Sequence, residues 1–171
     1  MARVIEVTRA DASRLDELQP LWLALRAHHG SVTEHWGPLR PEDESWRRRR
    51  ETYVAILEEG GTLFLAVDTD ADAGGAIVGH AICEREEGGS PTWEWPKDFL
   101  ALVDLIVLPE ARGRGVGEQL LRAVEAEAEA RGVAAVDINM AAPNESARRF
   151  YEKHGYRIDL VSFRKPLDAT S

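Results

Sequence analysis

The chain has 171 residues, 44% apolar and 30% charged, with 21 Lys or Arg against 30 Asp or Glu and a formal charge of −9. Length and composition fit one globular domain over residues 1–171 and exclude a disordered or fibrous chain. The acidic balance excludes a protein that works by neutralising nucleic-acid phosphates, and it disfavours anionic lipid surfaces.

Met1-Ala-Arg-Val-Ile-Glu carries no apolar signal segment, and Arg3 to Val7 reads as a short first strand. Asp11 or Ser13 can cap a helix whose Leu15, Leu18, Trp22 and Leu25 follow helical spacing. Pro20 inside that pattern predicts a kink or two short helices. His28-His29-Gly30 is expected to end it, before a loop to Leu39 that carries Trp36. Pro41 opens a second helix at a favoured first position, with Trp46, Tyr53, Ile56 and Leu57 facing inward. Taken alone, Arg47 to Arg50 looks like a nucleic-acid patch. With Glu42, Asp43, Glu44 and Glu51 around it, the run reads as a solvated face.

Gly60-Gly61 stops that helix, and Thr62 to Val67 with Ala76 to Glu86 predict a hairpin across an Asp/Ala/Gly turn. The single cysteine, Cys83, falls in its second strand. One thiol excludes an internal disulfide or a multi-thiolate metal site, and Cys83 reads as buried and inert. A polar loop with Trp93 and Trp95 leads to a strand over Phe99 to Val107. That apolar run is broken by Asp104 and is too short to span a bilayer. Helix 116–131, strand 133–140, helix 144–154 and a last strand near Tyr156 to Lys165 complete the chain. The order βααββ–βαβαβ is an α/β (α+β mixed) fold, a central sheet antiparallel first and then continued by right-handed crossovers. A soluble, cytoplasmic protein with no membrane or nucleic-acid partner is expected.

Chemistry concentrates in Val107-Leu-Pro-Glu-Ala-Arg112-Gly113-Arg114-Gly115-Val116-Gly117. A strand enters a turn with glycine on alternate positions, and an amphipathic helix follows at once. Glycine permits backbone angles and close approach that a Cβ forbids, and a helix N-terminus offers unpaired N–H groups at the positive end of its dipole. Arg112 and Arg114 add cationic side chains, so the turn reads as a phosphate or pyrophosphate cradle. The nucleotide-hydrolase loop is excluded because Glu118 and Gln119 follow Gly117, with no Lys. The dinucleotide fingerprint fails because position 118 is Glu.

These residues resemble the GNAT superfamily of acetyl-CoA-dependent N-acetyltransferases. Arg112, Gly115 and Gly117 match its Arg/Gln-x-x-Gly-x-Gly/Ala signature after a strand. Asn144, Ala147, Phe150, Tyr151, Gly155 and Tyr156 match the family's second signature, Asn-x-x-Ala-x-x-Phe/Leu-Tyr-x-x-x-Gly-Phe/Tyr. The resemblance covers about residues 98–166, and Val103-Asp-Leu-Ile-Val-Leu-Pro-Glu is most similar to polyamine and diamine acetyltransferases. It implies the acyl-CoA N-acyltransferase fold with acetyl-CoA as cosubstrate and no metal. Leu105, Ile106 and Val107 would hydrogen-bond the pantetheine arm through their backbone. Gly113, Arg114, Gly115, Val116, Gly117 and Glu118 would grip the pyrophosphate. Asn144 either contacts pantetheine, as in the family, or simply caps the helix before Glu145.

In such a family member Tyr151 donates a proton to the departing thiolate while a neutral amine attacks the acetyl carbonyl. A strand N–H, that of Val107, would polarise the carbonyl oxygen. Where some members carry a strand Glu, this chain has Ala101 or Val103, which leaves Asp104 as the carboxylate on the strand. An acid in an apolar run is costly unless paired or used, so Asp104 is either a structural acceptor or the group that takes the amine proton through water. His28, His29, His80 and Glu84 are the other candidate bases. Selectivity is assigned to the first two helices, their loop with His28, His29 and Trp36, and the loop with Trp93 and Trp95. Aromatics in an acidic chain suit a small cationic amine. A protein N-terminus or lysine as acceptor, or a non-catalytic acyl-CoA sensor, are the competing expectations. The sheet's edge strands are compatible with a homodimer.

Overall fold

A computed structural model of the protein describes residues 4–33, 36–70, 75–94 and 98–165. Trp95 and the tip of the expected hairpin, 71–74, lie outside them. Strand β1 spans Ile5–Ala10, and a 3-10 turn over Ala12–Leu18 leads into helix α1, Gln19–Val32. Helix α2 spans Glu42–Glu58, and β2 Thr62–Asp68, β3 Ala76–Glu87 and β4 Asp98–Val107 follow. Helix α3 spans Val116–Ala130 and β5 spans Val136–Ile138. These elements belong to a first unit, Met1–Asn139; helix α4, Glu145–Lys153, belongs to a second, Met140–Ser171.

In the first unit one sheet runs in the order β1-β2-β3-β4-β5. Its first pairings are antiparallel and β4–β5 is parallel across the α3 crossover. On the core side Leu15, Leu18, Leu21, Trp22, Tyr53 and Ile56 pack over Leu63, Leu65, Ile82 and Ile106. Pro20 sits in the first turn of α1, so the expected break falls between the 3-10 turn and the helix rather than inside it. Asp11 is the cap: its carboxylate accepts the Ser13 N–H at 2.8 Å. The expected stop at Gly30 is corrected, since α1 continues to Val32. A Cβ at Gly30 would meet Leu39 Cδ1 at 2.6 Å, so this glycine admits the following loop instead of ending the helix.

Helix α3 is seated by its apolar stripe, Val116, Leu120, Leu121, Val124 and Ala128, all buried. Gly79 on β3 lets it come close, because a Cβ there would stand 2.8 Å from the Ile106 carbonyl and 3.1 Å from Leu120. At the other end Glu127 is buried and takes hydrogen bonds from Arg131 Nε at 2.7 Å and Thr62 Oγ1 at 3.0 Å, with the Arg9 guanidinium also against it. A helix held at both ends has a fixed axis, and so does its N-terminus. Cys83 is buried, its Sγ 3.7 Å from the Thr62 carbonyl, and burial pushes its pKa to about 11, as an inert thiol requires. Among the described residues no helix is long and apolar enough to cross a membrane.

In the second unit α4 forms over nearly its expected range, but the last strand does not. Residues 156–165 have no regular structure, and Ile158, Leu160, Val161 and Phe163 are exposed. A strand exists only when a neighbour takes its N–H and C=O groups, and among the described residues of this unit α4 is the one regular element.

Candidate active site

Strand β4 changes partners along its length. Its pairing with β3 skips one residue between Leu102 and Asp104, a β-bulge at Val103. Up to that point β5 covers the other edge, pairing Leu100 to Leu102, and beyond it no β5 residue is in register. Leu108 N–H donates to Val78 C=O at 2.9 Å. Alternate residues of an antiparallel ladder face the same neighbour, so Ile106 also faces β3, while Leu105 and Val107 turn their main-chain groups to the open edge. Arg112 Nε donates to the Val107 carbonyl at 3.1 Å, which leaves the Val107 N–H for a ligand.

The chain then turns through Pro109–Ala111 into α3. Gly113 and Gly115 have φ of +72° and +77°, and a Cβ at either would meet nothing within 4 Å. These are left-handed conformations that favour glycine, and the space beside them is open. Gly115 is the N-cap and offers no side chain to the helix. Among the described residues, no group accepts a hydrogen bond of normal geometry from the main-chain N–H groups of Gly113 to Gly117. Donors without acceptors at the positive end of a helix dipole suit an anion. The arginines of the turn point elsewhere than expected: Arg114 pairs with buried Asp68 at 3.1 Å, as Arg112 does with Val107.

Asp104 is buried among groups drawn from α2, β3 and β4. Tyr53 Oη donates to Asp104 Oδ2 at 2.6 Å, and Arg49 Nη1 lies 3.3 Å from the same oxygen. His80 Nε2 is 3.0 Å from Tyr53 Oη. Burial raises the Tyr53 pKa well above its ordinary value, and the Asp104 charge pushes the same way, so the hydroxyl keeps its proton and spends it on Asp104. Its oxygen can then only accept, which fixes His80 as the Nε2–H tautomer and leaves Nδ1 buried without a partner among the described residues. Burial, helped by Arg49, lowers the His80 pKa to about 3, so this histidine is neutral and sealed, not a base. Burial also raises Asp104 above the usual carboxylate range, against the opposite pull of Arg49 and Tyr53.

In the second unit Asn144 is buried and caps α4, its Oδ1 accepting the Ala147 N–H at 3.2 Å and the Ser146 hydroxyl at 3.1 Å. Phe150 and Tyr151 are half-buried neighbours with ring centroids 5.2 Å apart, and Tyr151 lies 5.8 Å from the Tyr156 ring. The expected common face of Ala147, Phe150, Tyr151 and His154 is present, with His154 Nδ1 2.8 Å from the Phe150 carbonyl.

The model of the acetyltransferase (GNAT) family matches residues 22–156, a range that takes in the open edge of β4, the glycine turn and α3. The chain belongs to that family. An aminoalkylphosphonate N-acetyltransferase from Salmonella typhimurium is 36% identical over 64 residues, a match that spans 37% of this chain and 42% of that protein. A tetramutant of the BH1408 protein of Bacillus halodurans superposes with a TM-score of 0.80 at 20% identity, over 95% of this chain and 99% of that one. The aminoglycoside N-acetyltransferase AAC(6')-Iy in complex with CoA gives a TM-score of 0.66 at 16% identity, over 98% of each chain. At such identities the solved structures speak for the fold.

The chain also has a cavity of about 490 Å³ between the end of α1 and the start of α2, walled by Trp22 and Trp36. His29 lines it, half-buried; burial, His28 and Arg49 lower its pKa. Glu84 lies on β3 with its pKa raised by burial and by Glu86 and Glu59. Arg49 is the residue that sequence reading missed. Arg47 and Arg48 do form the expected solvated face, paired with Glu51 and Glu44 at 3.0 and 2.9 Å. Arg49 instead turns inward and stacks on Trp22, 4.3 Å from the ring centroid. The signal was present: Arg49 stands three residues after Trp46 and four before Tyr53, on the apolar stripe of α2.

Proposed function

We propose that the protein is an acetyl-CoA-dependent N-acetyltransferase that passes the acetyl group to the primary amine of a small molecule by direct attack. One observation carries this reading: partnerless amides from Gly113 to Gly117 follow directly on a strand edge that β5 leaves open. The amides suit a diphosphate, and the open edge at Leu105 and Val107 suits the amide-bearing pantetheine arm. Acetyl-CoA supplies an activated acyl group in its thioester.

The chain's own residues do the rest. Ile106 holds β4 against β3, so Leu105 and Val107 present the edge, while Gly113 to Glu118 hold the phosphates. The Val107 N–H stabilises negative charge on the carbonyl oxygen as the amine attacks. Tyr151 gives its proton to the departing sulfur, with Phe150 and Ala147 packing the helix that carries it and Asn144 capping that helix. Asp104 takes the amine proton through water; its raised pKa is the direction a base needs. All 171 residues then make up one acetyltransferase domain. We further propose a cytoplasmic protein, and β1 and β5 are sheet edges that suit pairing of two copies as a homodimer.

The acceptor class is narrower than the family. The β4 sequence points to polyamine or diamine acceptors and the overall charge to a cationic one. The cavity walls carry Arg26 and Arg40, which repel a polycation. The relatives' amines, an aminoalkylphosphonate and an aminoglycoside, support a small molecule in preference to a protein N-terminus or lysine.

Thiol release from acetyl-CoA across an amine panel, with mass detection of the acetylated product, tests the reading. Turnover is expected with at least one amine. CoA binding without turnover on any amine would leave a sensor, and stabilisation by ATP or NAD but not CoA would leave a nucleotide-binding protein. With a working acceptor, Tyr151→Phe should lower kcat by about a hundredfold and leave the Kd for CoA within about twofold. Unchanged turnover removes Tyr151 from the acid role.

A further inference from the structure

The cavity between α1 and α2 has a definite chemical character. Its polar side chains are those of Arg26, Arg40, His29, Ser31, Thr33 and Ser45. Ser31 and Thr33 give their hydroxyl protons to the His28 and His29 carbonyls at 2.7 and 2.6 Å, so the donors left to a ligand come from the two arginines, His29 and Ser45. No carboxylate lines it among the described residues. Ser45 Oγ accepts the Trp22 Nε1–H at 3.0 Å, so its own proton is left to give. Arg26 is well covered; its Nε, at 3.1 Å, and its Nη2 both donate to the Arg40 carbonyl, and its Nη1 stands 3.7 Å from Glu42, which leaves one N–H on each terminal nitrogen. Arg40 ties one nitrogen to Glu44 at 3.1 Å. A guanidinium has five N–H donors in a planar fork, so both arginines keep donors beyond these contacts. Arg49 stands behind Trp22 and cancels the Asp104 charge, so that buried carboxylate does not make the cavity acidic. The indole walls meanwhile suit a short run of methylenes.

Building on the acetyl-transfer reading, we propose that the acceptor amine carries an anionic group, a carboxylate or a phosphonate, held by Arg26 and Arg40 in this cavity. A fork of two N–H donors matches either oxyanion, and the aromatic walls take the linker between the anion and the amine. The inference reverses the sign expected from the net charge of −9. Recognition depends on the charges lining the site, whereas the sum over the chain governs solubility and long-range steering.

Four amines with similar chains separate the cases: 2-aminoethylphosphonate, β-alanine, propylamine and 1,3-diaminopropane. Both anionic amines should exceed propylamine in kcat/KM by about tenfold, the weight of a hydrogen bond to a charged group, with the diamine poorest. Their order tells phosphonate from carboxylate. Arg40→Gln and Arg26→Gln should each collapse the anionic-to-neutral ratio toward one. A diamine that equals or exceeds the anionic amines overturns the inference, as does a ratio untouched by both substitutions. If no amine turns over, acetyl transfer itself fails, and titration of propylphosphonate against tryptophan emission decides. Binding that weakens in Arg40→Gln, the exposed and structurally safer variant, supports the anion site. Binding that is absent, or equal in wild type and both variants, removes it.

Discussion

The glycine turn after β4 and the Asp104 cluster within β4 are separated by a few residues of sequence, yet they are assembled in different ways. The turn is local: Val107 to Gly117 is one continuous segment, and its chemistry is that of main-chain amides. The cluster is convergent: Asp104 comes from β4, Tyr53 and Arg49 from α2, and His80 from β3, and its chemistry is that of side chains. A local device survives as long as its backbone angles do. A convergent one fails when any member is removed, because the others are left buried and unpaired.

Deleting a member is therefore the harshest test. Asp104→Ala should cost about 3–5 kcal/mol of unfolding free energy, since it strands a guanidinium and a hydroxyl in the interior. Asp104→Asn, which still accepts from Tyr53, should cost clearly less. Urea unfolding of both variants measures the difference. Near-equality with wild type for the alanine variant means the cluster is not formed in solution, and the contrast with the turn collapses.

The turn should respond in the opposite way, losing ligand more than stability. Gly115→Val puts a β-branched side chain at φ +77° and into the open space beside the amides. Affinity for CoA should fall about a hundredfold, as if two charge-assisted hydrogen bonds were lost, while strain costs about 1–2 kcal/mol. Calorimetric titration gives the first figure and thermal unfolding the second. Normal CoA affinity in this variant moves the diphosphate to another part of the protein.

The same contrast explains what could be read from the sequence. The turn was legible because glycine spacing, a preceding strand and a following amphipathic stripe all lie within one segment. So was the Asn144 cap, where a short polar side chain precedes the helix it serves. Asp104 could be flagged as an acid in an apolar run, but its partners could not be named, because pairing across three elements depends on a register no local pattern states. Arg49 was hidden among like charges. The segment from Tyr156 to Lys165 has the alternation of a strand, but pattern gives only the capacity to pair. The arginines of the turn were legible as neighbours of the glycines; that Arg112 and Arg114 reach for Val107 and Asp68 was not.

A pH series sharpens the picture of the sealed cluster. His80 in the unfolded chain takes a proton below its ordinary value of 6.5, whereas the folded protein holds it neutral down to about 3. Between those values the unfolded state binds the extra proton. Stability from this group is thus fully present above pH 6.5 and drains away as the pH falls toward 3. The slope approaches about 1.4 kcal/mol per pH unit. Subtracting the profile of His80→Gln isolates it, and identical slopes in the two proteins mean the imidazole is open to water.

The smallest expected effect separates backbone from side chain within the turn. If the amides grip the diphosphate, the two arginines act as struts: Arg112 braces the exit of β4 through the Val107 carbonyl, and Arg114 ties the turn to buried Asp68. Their charges still sit near the anion, but only as solvent-screened neighbours. Arg112→Gln and Arg114→Gln should each weaken CoA binding by about two- to threefold, the size of an exposed charge interaction. Arg114→Gln should also lower the unfolding midpoint more than Arg112→Gln, since it removes an ion pair with a buried carboxylate at 3.1 Å. A tenfold or greater loss of affinity in Arg112→Gln would put that guanidinium on the phosphates. The turn would then be a convergent device too, dependent on a side chain that must leave Val107 to act.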